Sequence, residues 1–120
     1  MDVDTIRSIC TKLPAVTEDM KWGNDLCFLI AEKMFCVVVL DGPLKISFKV
    51  PDEEFDELCN LQEIMPAPYS ARYKWVLVEK PHAFSKKQWE HYITQSYNLI
   101  RAKLPKSKLK KLDKSHQILK

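Results

Sequence analysis

At 120 residues, 46% hydrophobic and 29% charged, the chain has the composition of one globular domain with a buried core, which excludes a disordered or fibrous polypeptide. Its longest apolar run, Met34 to Leu40, is too short to cross a hydrocarbon core of about 30 Å as a helix. The net charge of +3 hides an asymmetry, because residues 1–100 carry −4 while residues 101–120, with eight bases and one acid, carry +7.

Asp2 and Asp4 stand where a secretory leader would be basic, and no apolar segment follows them, so a cytoplasmic location is expected. Asp4 or Thr5 can cap a first helix whose apolar residues Ile6, Ile9, Cys10 and Leu13 share one face, with Pro14 stopping it. After a polar stretch through Trp22-Gly23-Asn24-Asp25, Leu26 to Ala31 and Met34 to Leu40 read as two strands joined tightly around Glu32-Lys33. Asp41-Gly42-Pro43 is a turn, since glycine and proline supply the restricted backbone geometries that reverse a chain.

In the next strand Leu44, Ile46, Phe48 and Val50 alternate with Lys45, Ser47 and Lys49, which predicts one buried face and one wet, positive face. Pro51 and the acids Asp52, Glu53 and Glu54 open a second helix, where the positive end of the helix dipole favours carboxylates. A loop, Pro66-Ala67-Pro68, leads to a fourth strand from about Arg72 to Glu79, with Tyr73, Trp75 and Leu77 predicted to point into the core. Ser85 to Gln88 forms a capping box for a long helix, on which Trp89, Tyr92, Ile93, Ser96, Tyr97, Ile100 and Leu104 recur at helical spacing before Pro105. The expected organisation is therefore a domain over residues 1–104 and a lysine-rich tail over 105–120.

The chemistry-bearing residues offer little to an enzyme. Only two glycines are present, Gly23 and Gly42, which excludes a P-loop and a G-x-G-x-x-G dinucleotide turn. The cysteines Cys10, Cys27, Cys36 and Cys59 never form a C-x-x-C pair and lie in or beside apolar segments, as expected of buried free thiols. His82, His91 and His116 have no partner at ligand spacing. The carboxylate pairs Asp52/Asp56 and Glu53/Glu57 fit a solvated helix face better than a cation site. No catalytic residue, metal ligand or cofactor is expected.

The segment Tyr69 to Trp75 interleaves aromatic and basic residues, the pairing that nucleic-acid binders use for stacking and phosphate contact. Strand alternation would bring Arg72 and Lys74 beside Lys45 and Lys49 if the two strands are neighbours, giving a shared positive surface or ordinary sheet solubility. In the tail, Lys106, Lys108, Lys110 and Lys111 suit a solubilising segment or a contact with nucleic acid or an acidic partner. Leu109, Leu112, Ile118 and Leu119 make too thin an apolar face for a membrane.

The order of Leu13-Pro14, Thr17-Glu18, Trp22-Gly23, Lys33-Met34-Phe35, Lys45 through Pro51, Phe55, Leu58, Pro66 through Tyr69, Ala71-Arg72, Trp75-Val76 and Ser96-Tyr97 resembles the MmcQ/YjbR family. The resemblance spans residues 13 to 104 and departs at Glu32, where relatives often carry glycine. It implies an α+β fold of the CyaY-like type, an antiparallel sheet packed against helices, and a double-wing arrangement associated with DNA binding, without established catalytic residues or a cofactor. Double-stranded DNA is accordingly the first expected partner, through Lys45, Lys49, Arg72, Lys74 and the tail lysines. A protein partner docking on an exposed aromatic such as Trp22 or Tyr69 is the alternative, and a small ligand or substrate held between Thr17 and Asn24 beside Lys33 is the third reading.

Overall fold

The computed structural model describes residues 1–110. Its elements, in chain order, are α1 (Val3–Thr11), β1 (Val16–Lys21), β2 (Asp25–Ile30), β3 (Lys33–Val39), β4 (Lys45–Lys49), α2 (Asp52–Cys59), β5 (Ile64–Pro66), β6 (Trp75–Val78) and α3 (Lys86–Ala102). The strands form one fully antiparallel sheet of order β1-β2-β3-β4-β6-β5, and the helices supply the other layer. The α+β class read from the sequence is the fold observed.

Most elements follow from local chemistry. Asp2 caps α1, two residues before Asp4 and three before Thr5, its carboxylate accepting the Thr5 amide at 2.9 Å. Ala31 and Glu32 both have positive φ, 48° and 69°, and form a two-residue reversal between Ile30 and Lys33 whose twist suits paired strands. Ser85 and Gln88 cap α3 reciprocally, as their spacing predicts.

Two strands escape the sequence reading. β1 shows almost no apolar alternation, and it joins the sheet by backbone pairing with β2 at the edge. β5 is three residues long and ends in Pro66, which an edge position tolerates.

The core lies between the helices and one sheet face. Phe28, Phe35, Cys36, Val38, Ile46, Phe48, Val50, Val76 and Val78 meet Ile6, Cys10, Trp89, Ile93 and Tyr97 there. Trp89 is fully buried, edge-on to Phe48 and Phe84, and its indole N–H donates to the Pro81 carbonyl at 2.8 Å.

The last strand is inverted relative to expectation. Val76 and Val78 fill the core, while Tyr73 is exposed and Trp75 half-buried. The reason is local: Ala71–Tyr73 is a 3₁₀ turn and Lys74 is left-handed (φ 65°), so the alternation of β6 cannot be run back through Lys74.

Candidate nucleic-acid interface

The antiparallel order sorts the basic residues by end of sheet. β4 runs from Lys45 at one end to Lys49 at the other, about 13 Å of extended chain. The loop before β6, with Arg72 and Lys74, meets the Lys49 end, where the amide of Val50 donates to the Lys74 carbonyl at 2.9 Å. The α3 C-terminus brings Lys103 to the same place, within hydrogen-bonding reach of Lys49. Lys45 pairs across with Val39 at the opposite end, so the expected surface of four strand-borne bases does not form.

Lys49 also departs from the wet face predicted for it. It is only 7% exposed, and its ammonium donates to the carbonyl oxygen of Tyr73. Burial, then the neighbouring charge of Lys103 and hydrogen bonding with it, hold its pKa below the ordinary lysine value. Asp52 pulls in the other direction, and Lys74 adds to the depression. Ser47, on the same strand face, is buried as well and donates from Oγ to the Val76 carbonyl at 2.9 Å. The alternation of the sequence shows which residues share a face, but not how far neighbouring strands cover the second face. Cys27, Leu29 and Leu77 make it largely dry.

The backbone around Lys49 is held by α3. Ser96, fully buried, accepts the Lys49 amide at 2.9 Å and donates to the Phe35 carbonyl at 2.6 Å. The β3–β4 register ends at Cys36↔Phe48, and this hydroxyl takes over where the ladder stops. Helical spacing marks Ser96 as one more member of a stripe; the tertiary structure shows it bridging two strands.

Around this pole stand exposed groups. Arg72 lies 4.7 Å from the centroid of the Tyr73 ring and donates to its hydroxyl at 2.7 Å. Lys74 sits over Phe55, 4.9 Å from that ring's centroid. Tyr69, with φ of 67°, is fully exposed, and Tyr73 is 54% exposed. Lys106, Lys108 and Lys110 are exposed on a helical turn after Pro105, and Leu109 packs against the core. Lys111 lies outside the described residues.

The other expected features are placed as follows. Trp22 is 72% exposed in the β1–β2 turn, at the sheet end opposite Tyr69. Asp52, Glu53, Asp56 and Glu57 are exposed along α2, and the described residues contain no group of three or more metal-ligating side chains. Cys10, Cys27 and Cys36 are buried free thiols and Cys59 is half-buried. None of the described helices is long and apolar enough to cross a membrane.

With this geometry in place, comparison with known proteins is decisive on family. The YjbR family model matches residues 11–99. The chain belongs to the YjbR family. A Deinococcus radiodurans protein, DR2400, described as carrying the domain DUF419, superposes on this YjbR protein with a TM-score of 0.83 and 27% identity, over 92% of this chain and 87% of that one. A Pseudomonas syringae protein shares the fold with a TM-score of 0.68 and 19% identity, over 82% of this chain and 98% of that one. Comparison with curated proteins gives no match.

Proposed function

We propose that this YjbR protein is a non-enzymatic DNA-binding protein that contacts phosphates through the basic pole at the Lys49 end of the sheet. The observation that carries this reading is the meeting there of Lys49, Lys74 and Lys103, next to Arg72 and the exposed rings of Tyr69 and Tyr73, with the exposed Lys106, Lys108 and Lys110 following Lys103 in the chain. Cations beside exposed aromatic rings suit a polyanion whose bases present π-faces. Lys49 underlies the pole and is not one of its exposed bases, and Lys45 takes no part.

Binding of this kind weakens steeply with salt, because each neutralised phosphate releases counterions. Fluorescence anisotropy with a labelled duplex, across a salt series, tests it on the whole chain and on a chain ending at Leu104. The shortened chain is expected to bind with a shallower salt slope. Absence of binding by either chain at low salt overturns the proposal, and binding by the whole chain alone removes the sheet pole from it.

A protein partner is the second reading, favoured by Trp22 and Met20, which are 72% and 50% exposed around the β1–β2 turn. It predicts one stoichiometric partner that survives nuclease treatment and is lost with Trp22→Ala.

A further inference from the structure

Three lysines meet at the end of β4, and the described residues bring no matching set of acids to them. Lys49 is buried and donates to the backbone carbonyl of Tyr73, Lys103 lies within hydrogen-bonding reach of it, and Lys74 adds a third positive charge. Among the described residues, the carboxylate in electrostatic contact with Lys49 is Asp52, exposed at the start of α2. A buried ammonium is costly unless a counter-charge compensates it, and bringing a second one beside it raises that cost.

The backbone holds the arrangement in place. Lys74 adopts a left-handed conformation that costs a non-glycine residue about 1 kcal/mol or more, and its carbonyl is fixed by the Val50 amide. The amide of Lys49 is fixed by Ser96. The Lys49 ammonium has three N–H donors, of which the Tyr73 carbonyl takes one.

We propose that Lys49, Lys74 and Lys103 form a seat for a single phosphate group, with Lys103 and Lys74 closing over it from the solvent side and Lys49 donating from beneath. A phosphate supplies the missing counter-charge and the acceptor oxygens that the free lysine donors lack. The phosphate can come from a nucleic-acid backbone or from a small phosphorylated molecule. The site shares the basic pole with the DNA-binding reading and does not depend on it.

The test is a titration of the whole chain, labelled with 15N at the lysine Nζ, with inorganic phosphate and with chloride at equal ionic strength. Expected are saturable phosphate-specific shifts of the Lys49 and Lys103 signals, with affinity at least tenfold weaker in Lys103→Met and unchanged in Lys12→Met, a remote control. Equal responses to phosphate and chloride, or undiminished binding by both Lys103→Met and Lys49→Met, overturn the seat. Because Lys103 is exposed, its replacement leaves the fold intact even if Lys49→Met does not.

A duplex oligonucleotide forms the second arm. Displacement of inorganic phosphate by the duplex supports a seat for the polymer backbone. Phosphate binding without duplex binding supports a seat for a small phosphorylated ligand and removes the DNA-binding reading. Duplex binding that leaves bound phosphate in place overturns the seat as the polymer's contact.

Discussion

The hydroxyl of Ser96 donates to the carbonyl oxygen of Phe35 across 2.6 Å, joining residues 61 positions apart in the sequence. The serine Oγ in turn accepts the Lys49 amide at 2.9 Å, so one small side chain satisfies two buried backbone groups on separate strands. Replacement by alanine leaves both groups dry and unpaired, at about 1–3 kcal/mol for each unsatisfied group. Ser96→Ala is therefore expected to lose about 2 kcal/mol or more in urea denaturation; a loss under about 0.5 kcal/mol would show that the bridge is dispensable.

The reversal at Ala31 and Glu32 requires positive φ at both positions, which glycine meets without steric cost. Glu32→Gly should raise stability by about 0.5–1 kcal/mol. The readout is the denaturation midpoint, with a lowered midpoint as the contrary result.

Lys49 binds its proton less tightly folded than unfolded, because burial and Lys103 depress its pKa. Below the folded pKa both states are protonated, and the fold bears the full cost of the buried charge. Between the folded pKa and the ordinary 10.5 the unfolded chain holds more protons, so this lysine makes stability rise with pH. Lys49→Met is expected to be more stable than the parent at neutral pH and to lack that alkaline rise. Parallel stability–pH curves for the two proteins would contradict it.

Tyr69 and Tyr73 contribute little to packing, being fully and half exposed. Tyr69→Ala combined with Tyr73→Ala should leave stability within about 0.5 kcal/mol. Base stacking on such rings is worth about 1–3 kcal/mol each, so DNA affinity should fall at least tenfold. Unchanged anisotropy curves would place the contact elsewhere.

The thiols differ in access. Cys10 and Cys36 lie fully buried against each other, and their mutual hydrogen bond followed by burial raises the Cys10 pKa. Burial raises that of Cys27 to about 11. Cys59, half-buried and with a pKa raised by desolvation, is expected to react first with an aromatic disulfide reagent, and the other three only at the rate of unfolding. Rapid reaction of Cys10 or Cys36 in the native protein would mean that α1 opens readily from the sheet.

Sequence pattern revealed the elements that carry their own signals: the α1 stripe, the capping box at Ser85, the β2–β3 pair and the alternation of β4. It missed β1 and β5, which are held by backbone pairing at sheet edges rather than by side chains of their own. It misplaced Tyr73 because a left-handed residue at Lys74 breaks the alternation, and Trp75 because the valines of β6, not its aromatic residue, face the helices. The basic pole was half visible. Lys49, Arg72 and Lys74 stand out in the sequence, whereas Lys103 joins them only because α3 runs back along the sheet, and Lys45 drops out because four residues of strand carry it to the far end.

The position of α3 has a consequence for synthesis. This helix is made after every strand, yet it covers β2, β3 and β4 and packs on α1, and the Tyr97 hydroxyl reaches back to the Pro14 carbonyl at 2.7 Å. Hairpins can form as the chain emerges, but the apolar face they present stays open until residues beyond 97 arrive. A ribosome-bound chain stopped before Lys86 is thus expected to be held by chaperones and cleaved by proteases. One stopped beyond Leu104 and clear of the exit tunnel resists them, so protection arrives in a single step late in translation.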